Sequence, residues 1–220
     1  MSVNEMKKLV LFDLDGTLMD TSRGIIKSIE YVLNEMRLDN SSDLRKYIGP
    51  PVEYSFKTYA GLDDENAKKA AAIFRRVYTE IFLYEAEIYP GIEDLLCMLH
   101  CHNIKCGIAT FKRESYTLKL LDHFGLIGKL DVIHGSDELG ELTKTDIIRL
   151  CMNDMNCAES ETIMIGDTVH DASAAQKAPV DFVAVTYGFG FKTESDTEEY
   201  SCVKICGTPK KLSGYLTNLK

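Results

Sequence analysis

One short apolar run, Lys8 to Phe12, ends in carboxylates, and about seventy residues then pass with no strand pattern at all. Ser22 to Met36 is amphipathic, with Ile25, Ile29, Val32, Leu33 and Met36 at helical spacing and Asp20 to Ser22 as cap candidates. Gly49-Pro50-Pro51 breaks the chain, and a proline can open the next helix. From Asp63 to Ala86 a longer stripe places Ala70, Phe74, Val77, Ile81 and Tyr84 on one predicted face. After Tyr89-Pro90-Gly91 the pattern becomes an alternation. Helices at 92–102, 114–124, 145–155 and 170–177 alternate with strands at 105–109, 131–134, 162–165 and 181–185. A weak strand near 203–205 and a short helix from Pro209 close the series.

Alternating strands and helices imply right-handed crossovers and a parallel sheet. One strand lies before the helical block and the rest come after it. The economical reading is an α/β fold with a Rossmann-like parallel sheet core, residues 1–17 and 89–220, carrying an all-helical domain at 18–88.

Composition narrows the function classes. The chain has 220 residues, 45% hydrophobic and 27% charged, an ordinary globular balance. Its net charge of −9 argues against a nucleic-acid polymer or an acidic membrane as partner. No apolar run approaches the roughly 20 residues of a membrane span or the 7–15 of an export signal. A soluble, cytoplasmic protein is expected. Seven cysteines, an odd number with no CxxC pair, argue against a disulfide framework. Cys97, His100, Cys101, His102 and Cys106 cluster in sequence. Cys97 and Cys101 accompany Leu96 and Leu99, so core packing is favoured over a metal site.

Ligands of an open α/β sheet bind at the carboxyl ends of its strands. Four segments put polar groups there: Asp13-Leu14-Asp15-Gly16-Thr17, Thr110, Lys144 at a helix start, and Gly166-Asp167-Thr168-Val169-His170-Asp171. A lone Asp at a strand end is ordinarily a helix cap. Four carboxylates from two strand ends, joined by a hydroxyl and a lysine, ask for chemistry. A carboxylate can attack a phosphoryl group, and a second carboxyl can protonate the leaving oxygen and then activate water. Like charges this close oppose one another's ionisation, and Mg²⁺, which takes one or two carboxylates plus phosphate oxygen, offsets that. Lys144 supplies local positive charge in an acidic protein.

These four motifs, in this order, resemble those of the haloacid dehalogenase superfamily over nearly the whole chain. The helical block resembles the helical cap of its phosphoglycolate-phosphatase-like branch, as do Tyr47-Ile48-Gly49-Pro50-Pro51, Tyr89-Pro90-Gly91 and Gly188-Phe189-Gly190. The resemblance implies that Asp13 is nucleophile and metal ligand and that Asp15 is general acid/base, its backbone carbonyl also on Mg²⁺. It implies Asp167 as a ligand, Asp171 as ligand or support, and Thr110 and Lys144 as holders of the phosphoryl oxygens. Phe111 stands where that family usually has Asn or Ser, and Thr145 where Pro is common.

Arg23 and Lys57, in the helical block, are candidates for a second anionic group of the substrate. Lys112 is a candidate substitute cation, with a solvated helix start favoured for it, and His170 reads as helix surface. The expected activity is Mg²⁺-dependent hydrolysis of a small phosphorylated metabolite, phosphoglycolate-like or a sugar or nucleotide phosphate, through an aspartyl-phosphate. Phosphomutase and inorganic pyrophosphatase are the alternatives on the same machinery. A non-catalytic phospho-ligand module would predict eroded carboxylates, and none is missing.

Overall fold

A computed structural model of the chain describes residues 6–218. It divides into two compact units, one running through Met19 and resuming at Ile88, the other Asp20–Glu87. The division falls slightly inside the expected 17/18 and 88/89 borders. Leu18 and Met19 are fully buried and belong with the first strand's turn.

The first unit is built on strands β1 (Leu9–Phe12), β4 (Lys105–Arg113), β5 (Val132–Ser136), β6 (Thr162–Gly166), β7 (Asp181–Val185) and β8 (Lys204–Cys206). Two short strands, β2 (Met19–Asp20) and β3 (Glu87–Ile88), lie where the chain passes between units. The six-stranded sheet has the order β5-β4-β1-β6-β7-β8, and every pairing is parallel. The chain thus fills one side of β1 with β4 and β5, then crosses to the other with β6, β7 and β8. β1 ends at that reversal, where an open α/β sheet leaves a crevice beyond its strand ends.

All four residues of β1 are fully buried, as a central parallel strand covered on both faces requires. The helices are α4 (Ile92–Cys101), α5 (Glu114–His123), α6 (Lys144–Met155), α7 (Val169–Lys177) and α8 (Pro209–Leu216). Ile147, Ile148, Cys151 and Met152 of α6 and Ala172, Ala174 and Ala175 of α7 pack with Leu9, Leu11, Met164, Phe182 and Ala184 of alternate strand positions. Each such Leu or Phe contributes about 1.5–3 kcal/mol by leaving water, so this layer fixes where the strand ends lie.

The second unit has its own core. Helices α1 (Ser22–Glu35), α2 (Val52–Ala60) and α3 (Asp64–Val77) enclose Ile29, Val32, Leu33, Leu44, Tyr47, Phe56, Ala67 and Ala70. Gly61, at φ 69°, ends α2, and the Asp63 carboxylate caps α3 by accepting from Asn66 N at 2.8 Å.

Two expectations are corrected. The 63–86 stripe does not continue as one face, because Tyr78–Phe82 is a π-helical segment. Its wider turn rotates the next residues about the axis, leaving Ile81 57% and Tyr84 46% exposed while Leu83 is buried. Cys97 and Cys101 are exposed rather than core. At about 100° per residue they lie opposite the arc of Ile92, Leu95, Leu96 and Leu99, which α4 buries. All seven cysteines are free thiols.

Candidate active site

The end of β1 is shaped by one tight turn. Asp13 N donates to Ile165 O at 2.8 Å, which keeps Asp13 in register with β6. Beyond it Leu14 O accepts from the amides of Thr17, Leu18 and Met19 at 3.0–3.3 Å, and the chain folds back on itself. Gly16 takes φ +86°, and a Cβ there would stand 2.5 Å from Asp167 Oδ2. The turn therefore needs glycine twice over, for its dihedral and for the approach of a second carboxylate.

Three buried carboxylates meet at this point. One oxygen each from Asp13, Asp167 and Asp171 lie within 4.8 Å of one another. Lys144, the first residue of α6, sits between them with Nζ 2.5 Å from Asp13 Oδ1 and 2.9 Å from Asp171 Oδ1. Its side chain is 4% exposed. Thr143 aims it by capping α6, accepting from Asp146 N at 3.2 Å. Asp171 has a plain structural duty as well, since its Oδ2 accepts from Thr168 N (3.0 Å) and Thr168 Oγ1 (2.7 Å) in the capping box of α7. Its Oδ1 takes no aligned hydrogen bond and faces Lys144 and the other carboxylates.

Asp167 is held from the far side by a loop whose geometry the sequence did not reveal. Its Oδ2 accepts from Phe189 N at 2.6 Å and Gly190 N at 3.0 Å, and its Oδ1 from Thr17 Oγ1 at 3.3 Å. A Cβ on Gly188 would collide with Gly16 O and Asp167 Oδ2. Gly188→Val should displace that carboxylate, and the hold of this cluster on a divalent cation would then weaken about 10–100-fold, as when groups supporting a metal site are disturbed. Isothermal titration with Mg²⁺ checks this; unchanged affinity in a folded variant would show the loop to be dispensable.

The remaining candidates fall into two groups. Thr110 is buried, and its Oγ1 accepts from Lys112 N at 3.2 Å while keeping its own proton to donate. Phe111 is 42% exposed and meets His170 edge-on at 5.7 Å. Lys112 is not solvated. Its side chain is 6% exposed and ion-paired to Asp15 at 3.0 Å. β4 runs on to Arg113, so Lys112 belongs to the strand end rather than to a helix start. In the helical unit Arg23 pairs with Glu85 at 2.8 Å and Lys57 pairs with Asp64.

The electrostatics suit a cation at this point. Burial first, then the Asp171 and Asp167 carboxylates, push Asp13 up to about 7 against the pull of Lys144. Burial and Asp171 push Asp167 up to about 6, resisted by the amides of Gly190 and Phe189. Lys144 is raised: burial works against its charge, but Asp13 and Asp171 outweigh that. Two ammonium groups, Lys144 and Lys112, face four carboxylates, Asp13, Asp15, Asp167 and Asp171. A divalent cation among three oxygen donors would neutralise the remainder, and hard oxygen donors suit such an ion.

The model of the haloacid dehalogenase-like hydrolases matches residues 10–185, which takes in both carboxylate motifs, Thr110 and Lys144. The chain belongs to this family. As a member it is an enzyme, a hydrolase of the phosphatase type. The crystal structure of a predicted phosphatase from Clostridium acetobutylicum superposes with a TM-score of 0.89 at 34% identity, covering 98% of this chain and 100% of that one. A 5'-nucleotidase of Pseudomonas aeruginosa is 32% identical over 84% of this chain and 85% of its own length. The tyrosine-protein kinase PtkA of Mycobacterium tuberculosis is also 32% identical, over 86% of this chain but 65% of its own length. No helix among the described residues is long and apolar enough to cross a membrane.

Proposed function

We propose that this haloacid dehalogenase-like hydrolase cleaves small phosphate monoesters with Mg²⁺, through an aspartyl-phosphate on Asp13. The observation that carries the reading is the buried cluster of Asp13, Asp167 and Asp171 with Lys144 among them. Asp13, Asp167 and Asp171, with the Asp15 carbonyl, would hold the metal, whose charge offsets that of the phosphoryl oxygens.

The chain's own groups then divide the work. Asp13, fixed at the end of β1, attacks phosphorus with one carboxylate oxygen. Lys144 and the Thr110 hydroxyl hold the equatorial oxygens, where positioned donors in a dry site stabilise developing charge. Asp15 protonates the leaving alkoxide and afterwards takes a proton from water, the second half-reaction returning Asp13 as carboxylate. In this reading the helical unit acts as a cap that selects small substrates. Arg23 and Lys57 are its candidates for a second anionic group, and each sits in an exposed, solvent-screened ion pair from which it can be released.

The test is a panel of p-nitrophenyl phosphate, phosphoglycolate, sugar phosphates, nucleoside monophosphates and pyrophosphate, scored by kcat/KM with and without chelator. Turnover of monoesters that chelator abolishes supports the proposal. Full activity in excess chelator sinks the metal assignment, and preference for pyrophosphate moves the substrate to the anhydride class.

A further inference from the structure

We propose that Lys112 is a positioning residue for Asp15, holding that carboxylate in place for hydrolysis of the phosphoryl-enzyme. The inference rests on the aspartyl-phosphate reading above and extends it to a residue outside the four motifs. Its basis is geometric. Lys112 Nζ lies 3.1 Å from Asp15 Oδ1 and 3.0 Å from Asp15 Oδ2, so one ammonium grips both oxygens. The lysine side chain is 6% exposed and the aspartate side chain 23%. An ammonium so buried is tolerated only when paired, so this contact is unlike a screened surface bridge.

The backbone supplies the reason that Lys112 reaches inward. Along the β4–β5 pairing, Ala109 is opposite His134 and Arg113 opposite Ser136, so three residues, Thr110 to Lys112, bulge out against Gly135 alone. Bulges re-aim side chains and concentrate next to active sites. This one is built into the sheet. A Cβ on Gly135 would stand 2.5 Å from Lys112 O, and Gly135 N donates to Glu114 Oε2 at 3.1 Å. The same bulge turns Thr110 Oγ1 onto Lys112 N, which couples the phosphoryl-holding hydroxyl to the residue that holds Asp15.

The step served balances in atoms and electrons. Water attacks phosphorus, the bond from phosphorus to the Asp13 oxygen breaks, and its electron pair returns to Asp13 as carboxylate. The proton of the attacking water goes to an Asp15 oxygen. Asp15 comes two residues after Asp13 on a glycine turn, with 23% of its side chain open to solvent, and the Lys112 ammonium on both its oxygens sets where that carboxylate stands. Misplacement of a reacting group by about 1 Å can cost about 10²-fold in rate.

The full-length protein with Mg²⁺ and p-nitrophenyl phosphate provides the test, with Lys112→Met, Lys112→Arg, Lys112→Gln and Asp15→Asn compared by steady-state kinetics and by intact mass after acid quench. Lys112→Met is expected to lower kcat about 10²-fold and KM in proportion, leaving kcat/KM for p-nitrophenyl phosphate nearly unchanged, because only the second half-reaction is slowed. It should accumulate an enzyme heavier by one phosphoryl group, as Asp15→Asn does, and Lys112→Arg should recover most of the rate. If Lys112→Met does not fold, the same contrast is read between Arg and Gln. A raised KM at constant kcat would show that Lys112 binds substrate instead, and a loss of kcat with no phosphoryl-enzyme would place it outside the second half-reaction; either overturns the inference. If Asp15→Asn itself carries no phosphoryl group, the aspartyl-phosphate reading fails and this one with it.

Discussion

Replacing Asp13 by Asn should remove turnover and leave no phosphoryl-enzyme. The substitution is nearly isosteric and keeps an acceptor for Lys144, which now contacts Asp13 Oδ1 at 2.5 Å. It deletes the nucleophilic oxygen's charge, and a carboxamide does not attack phosphorus. It also takes one of three buried carboxylates out of mutual repulsion, so the variant should fold at least as stably as the wild type. Lost activity together with retained stability separates chemistry from folding. Asp15→Asn should behave differently. With an aryl phosphate the departing phenolate needs little protonation, so the first step proceeds, while hydrolysis slows by about 10²–10⁴ for want of the base. Acid quench and then intact mass should find one added phosphoryl group on Asp15→Asn and none on Asp13→Asn. A phosphorylated Asp13→Asn, or one with near-normal turnover, would falsify the division of roles.

Much of this arrangement could be read from the chain itself, and the reasons are specific. β1 is apolar throughout because it is covered on both faces, and the alternation after Gly91 has the period of crossover units. Two carboxylate motifs at strand ends then point to the crevice without any knowledge of side-chain contacts. The features that escaped were set by local backbone geometry. A bulge at the end of β4 decides that Lys112 turns inward, and no spacing rule distinguishes it from a lysine at a helix start. A π-helical segment moves Ile81 and Tyr84 to the surface although both fit the α-helical period. In α4, Cys97 and Cys101 sit beside buried leucines in sequence, yet a helical turn puts such neighbours on different faces. Gly188-Phe189-Gly190 stands out as a motif, but its duty, placing the Phe189 and Gly190 amides on Asp167, depends on a distant loop folding back over the turn after β1.

Removing the divalent cation should alter stability as well as activity, and the two raised carboxylates set the sign of its pH dependence. Without a cation Asp13 stands at about 7 and Asp167 at about 6, against an ordinary 3.8. A group with a raised folded-state value binds protons more tightly folded than unfolded. Its stabilising contribution is therefore complete below about pH 4 and is lost as pH rises through 6 and 7. Metal-free protein should consequently lose thermal stability between pH 5 and pH 8. On the proposed reading the ionised carboxylates would hold Mg²⁺, so the ion should restore that loss at pH 8 and do little at pH 5, where protons compete. At a hundred times its Kd a ligand adds about 2.7 kcal/mol, and a chain of this size gains about 2–4 °C in Tm per kcal/mol. The expected shift at pH 8 is thus roughly 5–11 °C. Asp167→Asn should abolish most of it, because one donor is lost and the loop amides of Phe189 and Gly190 then face a neutral group. Differential scanning calorimetry at both pH values decides the matter. A Mg²⁺ shift equal or larger at pH 5 would mean that the cation binds somewhere other than these carboxylates.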